Sequence, residues 1–235
     1  MKSPPSEFKL FYRNCRDAIV LIPGWATDYR IFNTVDLDFN YIMPIVFSPF
    51  QFEEELLSFL DKNGLNKVSI LGWSMGGFVA SDFVSRYQDR IDMCTLMGVR
   101  GRYERGDIEK IKTYLRRSRE GFLYKFYNDC FSSNEKEALA WFKRNLLRTY
   151  LDQMNLDVLS EGLDYLLTAQ LRLQSLRGVK IKLIHGREDK IAPFQEANSI
   201  MDGLPQAVFH SIPHGGHIPF LLPSFREIFY ETDNE

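Results

Sequence analysis

The sequence predicts an α/β fold, in which a mostly parallel sheet is flanked by helices and carries an inserted block of helices. Six continuous apolar runs alternate with amphipathic helical patterns along the chain. Such runs are typical of strands buried on both faces of a parallel sheet. The alternation stops between about residues 100 and 176, where only helical patterns occur. Together these patterns favour right-handed strand–helix–strand crossovers with one helical insertion.

The composition indicates a globular protein. The chain has 235 residues, of which 45% are apolar, and its formal net charge is −2. This apolar content excludes a disordered chain, and the charge argues against a nucleic-acid binder. No apolar run approaches the ~20 residues that span a bilayer, and the opening "MKSPPSEFKLF" lacks the apolar core of a secretory signal. We therefore expect a cytoplasmic protein without a membrane partner.

The cysteines and histidines give no sign of a disulfide or a metal site. Cys15, Cys94 and Cys130 lie far apart, form no CxxC pair and are odd in number, which favours reduced thiols. The four histidines and three cysteines never fall at zinc-ligand spacing. We expect neither a metal nor an organic cofactor.

The predicted strands can be assigned in chain order. A possible edge strand, EFKLFY (7–12), comes first. The six apolar runs are DAIVLIPGW (17–25), YIMPIVF (41–47), KVSILGW (67–73), MCTLMGV (93–99), VKIKLIHG (179–186) and AVFHSI (207–212). The first of these runs is closed by Pro23 and Gly24, as expected where a strand turns into a connection.

Three helices are predicted between the strands. Residues 52–64 begin with acidic side chains and end in Lys-Asn-Gly, which suits the helix dipole and a glycine stop. Residues 75–90 carry a helical apolar stripe. Residues 193–204 begin with Pro193, a residue suited to the first turn of a helix.

The helical insertion divides the chain into core residues 1–99, a helical lid at 100–176 and core residues 177–235. The clearest helical patterns in the lid are IEKIKTYLRRSREGFLYKFY and NEKEALAWFKRNLLRTYLDQM. A block inserted after a strand is expected to cover the carboxyl edge of the sheet, where ligands bind in open α/β sheets.

Ser74 is the candidate nucleophile. In "GWSMGG", Gly72 precedes it by two residues and Gly76 follows it by two. A sharp strand-to-helix turn needs small residues at these positions because the backbone folds close to itself. Such a turn strains the serine and exposes its hydroxyl at the sheet edge. The alternative is a glycine-rich turn in which the serine has no chemical role.

The candidate base is His217. His185 and His210 lie in predicted strands, so we interpret them as structural. His214 and His217 share "PHGGHIPF", just after the last strand, where a loop can reach back over the sheet edge. His217 opens the final helical segment and is favoured over His214, whose alternative is a solvated loop residue.

The candidate acid follows the strand before the histidine loop. "KLIHGREDKIAP" supplies Glu188 and Asp189. The Gly-x-x-Asp spacing favours Asp189 as the carboxylate that orients the base, and Glu188 is expected to stay in water. The alternative for Asp189 is a solvated turn residue.

Two backbone N–H groups are expected to form an oxyanion hole. One belongs to Met75, the residue after the candidate nucleophile. The other is assigned to Trp25 in "PGWATD", where Gly24 permits a tight turn. The Trp25 side chain is free to pack at the same time, because the donor is main chain.

These segments together resemble the α/β-hydrolase superfamily. "GWSMGG", "GREDKIAP" and "GGHIPF" occur in the order nucleophile, acid, base, and the resemblance covers nearly all of the chain. Within the superfamily the chain is most similar to the pimeloyl-acyl carrier protein methyl ester esterases of biotin synthesis, through "LGWSMGG", "PGWATD" and "EGLDYLLTAQLR". The resemblance implies a triad of Ser74, Asp189 and His217, with Trp25 and Met75 as the oxyanion hole.

Two departures from the family pattern weaken the substrate inference. Relatives carry His-Gly where this chain has Pro23 and Gly24. Relatives also carry a glycine-containing serine loop after the next strand, where this chain has "FSPFQFEEEL". The pocket wall on that side is therefore expected to differ.

The lid is basic although the whole chain is acidic. Residues 100–149 contain thirteen Lys and Arg against seven Asp and Glu. This excess is either an ordinary solvated surface or a docking patch for an acidic partner such as acyl carrier protein. The candidate binding residues are Arg116, Arg117, Arg119, Lys143, Arg144, Phe122 and Phe126. Most lid aromatics are expected to pack the lid onto the sheet, with a few lining an acyl channel.

The sequence thus predicts a serine carboxylesterase that hydrolyses a small acyl ester. The favoured substrate is the methyl ester of pimeloyl-acyl carrier protein. Three alternatives remain. The same triad suits a general short-chain carboxylesterase or thioesterase, and it suits a lyase in which the triad moves protons. A non-enzymatic binding module is the third.

Overall fold

The computed structural model describes residues 5–231. Its sheet has seven strands in the order β1-β3-β2-β4-β5-β6-β7, and β1 alone is antiparallel to its neighbour. The strands are β1 Glu7–Phe11, β2 Ala18–Ile22, β3 Asn40–Val46, β4 Val68–Trp73, β5 Ile91–Met97, β6 Lys180–Gly186 and β7 Val208–Ile212. The fold is therefore the predicted α/β arrangement with a mostly parallel sheet.

Helices connect most of the strands. They are α1 Phe52–Lys62, α2 Met75–Arg86, α3 Arg105–Arg117, α4 Arg119–Asp129, α5 Lys136–Phe142, α6 Arg148–Gln153, α7 Leu156–Leu166, α8 Leu173–Leu176, α9 Phe194–Gly203 and α10 Phe225–Tyr230. A π-helical segment, Lys143–Leu147, joins α5 to α6. No helix within residues 5–231 is both long enough and apolar enough to cross a bilayer.

The core is centred on the middle strands. Every residue of β2 and β4 is buried, which matches their uninterrupted apolar sequences. Helix α1 buries Leu56 and Leu60. Gly64 follows its C-cap residue Asn63, and its φ of 65° is the left-handed conformation expected of a glycine stop.

Two local predictions were wrong. Strand β7 is only partly buried along its length, because it is the outer strand of the sheet and has a neighbour on one side only. Pro193 is the N-cap residue of α9 and adopts an extended backbone, so it lies before the first helical turn. The seven predicted strands all form.

Helices α3 to α8 occupy the interval between β5 and β6, and α4 and α7 contact the loop after β2. The Tyr127 hydroxyl donates to the carbonyl of Ala26 at 2.6 Å. The indole N–H of Trp25 donates to the carbonyl of Leu159 at 2.9 Å. The inserted helices are thus joined by hydrogen bonds to the loop that carries Trp25.

All three cysteines are free thiols. Cys15 is partly exposed, whereas Cys94 and Cys130 are buried. Burial raises the pKa of Cys94 to about 12 and raises the pKa of Cys130 well above its ordinary value.

Candidate active site

Ser74 stands at the turn between β4 and α2 in a strained conformation. Its φ is 55° and its ψ is −119°, and a positive φ is uncommon for any residue other than glycine. The side chain is almost completely covered, with 6% of the residue exposed. Strain of this kind persists only where the surrounding structure enforces it, and it concentrates at functional sites.

Glycines enforce this turn. A Cβ placed on Gly76 would lie 2.3 Å from the carbonyl oxygen of Ile22, and one placed on Gly72 would lie 2.4 Å from the carbonyl oxygen of Gly76. Both distances are shorter than real carbon contacts allow. The GxSxG spacing therefore reflects close backbone packing between β2, β4 and α2.

Asp189 and His217 form a buried pair beside this turn. The Nδ1 of His217 lies 2.7 Å from Oδ2 of Asp189. The other carboxylate oxygen accepts hydrogen bonds from the backbone N–H groups of Ile191 and Ala192, both at 2.8 Å. Burial acts to raise the pKa of Asp189, but the adjacent imidazole and these hydrogen bonds lower the pKa below its ordinary value. Asp189 is thus an ionised carboxylate at neutral pH.

Three neighbouring residues hold His217 in place: Gly98 contacts its imidazole, and Trp73 and Cys130 bind its backbone. A Cβ on Gly98, at the end of β5, would lie 3.0 Å from its Nδ1. The indole N–H of Trp73 donates to the His217 carbonyl at 2.6 Å, and the His217 N–H donates to the carbonyl of Cys130 at 2.7 Å. Within residues 5–231, the buried Nε2 of His217 has no hydrogen-bond partner. That nitrogen is therefore free to accept a proton.

The other histidines have different surroundings. His214 is exposed and its Nδ1 lies 2.9 Å from the Glu188 carboxylate. His185 is buried within β6, and its Nε2 lies 2.7 Å from the carbonyl of Ala192. Burial lowers the pKa of His185, although Asp189 nearby opposes this shift. His210 lies in β7, at the outer edge of the sheet.

The loop after β2 reaches Ser74 at Gly24. A Cβ on Gly24 would lie 3.1 Å from the Cβ of Ser74, so the backbone leading to Trp25 passes directly over the serine. Met75 is the first residue of α2, where the N–H has no acceptor within the helix. Gly162 of α7 lies against both residues, since a Cβ there would be 2.5 Å from Cδ1 of Trp25 and 3.2 Å from Sδ of Met75.

Tyr103 is a site residue that sequence reasoning missed. Its hydroxyl lies near the Ser74 side chain, which acts to lower the pKa of Tyr103. Burial raises the pKa of Tyr103 to about 12, so at neutral pH it is a neutral phenol. The guanidinium of Arg100 lies 4.8 Å from its ring. The available signal was its position in the loop after β5, at the same sheet edge as Ser74.

A cavity of about 650 Å³ opens beside Tyr103, between α3, α4 and the loop after β6. A row of aromatic rings follows its wall inward from the partly exposed Tyr114 through Phe122 and Phe126 to Trp25, with centroid separations of 6.2, 6.5 and 5.1 Å. Arg117, Lys125 and Lys190 also line it. A more polar cavity of about 790 Å³ lies against α8, away from Ser74.

The predicted basic residues of the inserted helices have different environments. Arg116, Arg117 and Arg144 are exposed, and none of the three forms an ion pair within residues 5–231. Lys143 lies 5.5 Å from the ring of Tyr124. Arg119 instead donates to the backbone carbonyls at positions 151 and 154, at 2.7 and 2.6 Å, so its guanidinium packs the inserted helices together.

No group of three or more His, Cys, Asp or Glu side chains in the described part of the chain could hold a metal ion.

The arrangement of Ser74, Asp189 and His217 offers a buried Asp–His pair with a free imidazole nitrogen, a strained serine and a helix N-terminus. These are the components of nucleophilic catalysis at a carbonyl group.

Comparison with known proteins gives the family. The family model for the alpha/beta hydrolase fold matches residues 44–165. The chain is 31% identical over 177 residues to a pimeloyl-[acyl-carrier protein] methyl ester esterase of Nitrosomonas europaea, covering 69% of this chain and 68% of that protein. It is 25% identical over 171 residues to the protein of the same name from Chromobacterium violaceum, covering 65% of this chain and 63% of that one.

Solved structures agree on the fold. An esterase from Exiguobacterium antarcticum superposes with a TM-score of 0.75 at 17% identity, covering 95% of this chain and 92% of that one. An alpha/beta hydrolase from a deep-sea metagenome library superposes with a TM-score of 0.77, also at 17% identity, covering 97% of this chain and 95% of that one. The chain is therefore a hydrolase that belongs to the α/β-hydrolase fold family.

Proposed function

We propose that this protein is a serine carboxylesterase in which Ser74, His217 and Asp189 form the catalytic triad. The observation that carries the proposal is the buried Asp189–His217 hydrogen bond of 2.7 Å, which leaves the Nε2 of His217 without a partner beside the strained Ser74 turn. A general base of this kind needs the tautomer in which Nδ1–H donates to the carboxylate and Nε2 carries the lone pair.

The chemistry proceeds by acyl transfer. Ser74 Oγ attacks the ester carbonyl carbon while His217 Nε2 takes the hydroxyl proton, and the ionised Asp189 stabilises the imidazolium. The backbone N–H groups of Trp25 and Met75 bind the oxyanion. His217 returns the proton to the departing alkoxide, and the alcohol leaves. A water molecule, deprotonated by His217, then hydrolyses the acyl-enzyme and releases the acid.

The proposed substrate is a methyl ester of a dicarboxylic acyl chain carried on acyl carrier protein, with the pimeloyl chain of biotin synthesis as the specific candidate. Two relatives carry that activity in their names. The aromatic row from Tyr114 to Trp25 supplies an apolar wall for an acyl chain. The exposed Arg116, Arg117 and Arg144 supply positive charge for an acidic carrier.

The triad is tested with Ser74→Ala. This variant should lose about 10⁴-fold or more in kcat on an ester substrate, and the acyl-enzyme trapped on wild type should be absent by mass spectrometry. Ser199→Ala is the matched control, because Ser199 is exposed on α9 and bonds only to its own helix. A trapped acyl group on any residue other than Ser74 would contradict the mechanism.

The substrate is tested by rescue of a biotin auxotroph that lacks its methyl ester esterase. Wild type should restore growth without biotin, and Ser74→Ala should not. Failure of the expressed, esterase-active wild type to rescue would reject the biotin substrate and leave a general short-chain esterase or thioesterase. Rescue by both proteins would also reject it.

A further inference from the structure

The connection between α4 and α5, residues 130–135, packs onto the histidine loop, residues 213–218. The His217 N–H donates to the Cys130 carbonyl at 2.7 Å. The Ser132 hydroxyl donates to the His214 carbonyl at 2.6 Å. Two of the contacts that fix the histidine loop therefore come from a part of the chain more than 80 residues away in sequence.

Glu135 is at the centre of this contact. Only 5% of it is exposed, and its Oε2 accepts a hydrogen bond from the Ser132 N–H at 2.7 Å. The same oxygen packs against the backbone of Gly216, where an added Cβ would lie only 2.5 Å from it. Buried carboxylates are rare unless they are paired. Here the carboxylate is hydrogen-bonded to the α4–α5 connection and packs against the histidine loop at Gly216.

Gly216 leaves the space that this contact needs. A Cβ at that position would lie 2.5 Å from Oε2 of Glu135 and 2.6 Å from the carbonyl oxygen of Cys130. A side chain at position 216 would therefore push the two segments apart. Gly216 directly precedes His217, so a displacement there moves the imidazole.

We propose that Glu135 is a positioning residue for catalysis: its buried carboxylate fixes the Gly216–His217 backbone to the α4–α5 connection and so holds the imidazole on Asp189. The proposal rests on the proposed function, which makes His217 the base. It also implies that this connection stays attached to the sheet during turnover, so that any opening of the inserted helices occurs away from residues 130–135.

The kinetic test compares Glu135→Ala with Glu135→Gln. Loss of the acceptor in Glu135→Ala should lower kcat about 10- to 100-fold with KM changed less than about twofold, because small misplacements of a catalytic group are costly. Glu135→Gln keeps an acceptor oxygen and should retain kcat within about threefold. Glu137→Ala, on the exposed side of α5, is the control. Equal kcat in Glu135→Ala and wild type would overturn the proposal.

Hydrogen exchange provides a readout that does not depend on activity or on the identity of the base. The His217 amide should exchange slowly in wild type and in Glu135→Gln, and at least about tenfold faster in Glu135→Ala. Unchanged exchange at His217 would overturn the proposal even if Ser74→Ala abolishes activity. If Glu135→Ala does not fold, Ser132→Ala replaces it. This variant removes the hydrogen bonds of the Ser132 hydroxyl to the His214 carbonyl and the Asn134 N–H, and it should give a smaller change in the same direction. No change in exchange at His217 would likewise overturn the proposal.

Discussion

At the scale of single residues, Trp73, the residue before Ser74, has a definite structural role. Its indole N–H donates to the carbonyl of His217, and its ring lies 5.4 Å from the imidazole and 5.3 Å from Phe220. Trp73 therefore links the end of β4 to the histidine loop, so that the Ser74 turn and His217 share one support. The sequence marked Trp73 only as a point of family likeness.

Replacing Trp73 should separate the packing of its ring from its hydrogen bond to His217. In Trp73→Phe the ring contacts persist in part, but the buried His217 carbonyl loses its partner, at a cost of about 1–3 kcal/mol in the free energy of unfolding. We expect kcat to fall about tenfold. Chemical denaturation and steady-state kinetics measure both effects. Trp141→Phe, in the partly buried α5, is the control, and a similar kcat loss there would contradict the positioning role of Trp73.

His185 should make stability depend on pH. Its pKa is lowered by burial from the ordinary value of 6.5, so the unfolded chain binds protons more readily than the folded protein. The free energy of unfolding therefore falls as the pH drops below about 6.5. His185→Gln keeps a donor for the Ala192 carbonyl and should show a flatter dependence between pH 6.5 and 5. If the free energy of unfolding falls equally with pH in both proteins, His185 is excluded as the source of the pH dependence.

At the scale of secondary structure, the sequence predicted elements better than contacts. The strands were recognisable because their apolar runs are long and uninterrupted. The Ser74 turn was recognisable because close backbone packing requires glycine at positions 72 and 76. Tyr103 and Glu135 were not recognisable, because each meets its partner through tertiary contacts that leave no local pattern. The outer position of β7 was missed for the same reason.

The approach of α7 to the proposed oxyanion hole depends on one glycine. Gly162→Ala should displace Trp25, because the new Cβ would lie 2.5 Å from its ring, and we expect kcat to fall about tenfold or more. Gly106→Ala in α3 is the matched control, because a Cβ there meets nothing within 4 Å. That control should keep its activity and gain about 0.5–1 kcal/mol in stability. Full activity in Gly162→Ala would contradict the placement of Trp25.

At the scale of the whole molecule, charge is distributed unevenly. The inserted helices are basic, whereas the chain as a whole has a net charge of −2. Several basic side chains there are paired internally, including Lys125 with Asp129 and Arg148 with Asp152. The exposed Arg116, Arg117 and Arg144 form the docking patch proposed above for an acidic partner, and encounters steered by charge are sensitive to ionic strength.

Salt should therefore distinguish carrier-linked from free substrates. Raising the ionic strength from about 0.05 to 0.5 M should lower kcat/KM on an acyl carrier protein substrate several-fold, because the Debye length shortens to a few ångströms. Turnover of p-nitrophenyl acetate should stay unchanged. Charge reversal at Arg116, Arg117 and Arg144 should produce the same selective loss at low salt. Equal loss on both substrates would reject the docking patch.

Because Cys130 is buried, the reactivity of its thiol reports whether the surrounding segment stays packed. Its thiol is shielded within the segment that supports His217, while Cys15 is accessible at the surface. A maleimide should therefore modify one thiol per folded molecule and three after denaturation. Release of the α4–α5 connection from the sheet would appear as a second modification, at position 130, so alkylation mass spectrometry could follow that event in the native enzyme without any introduced probe.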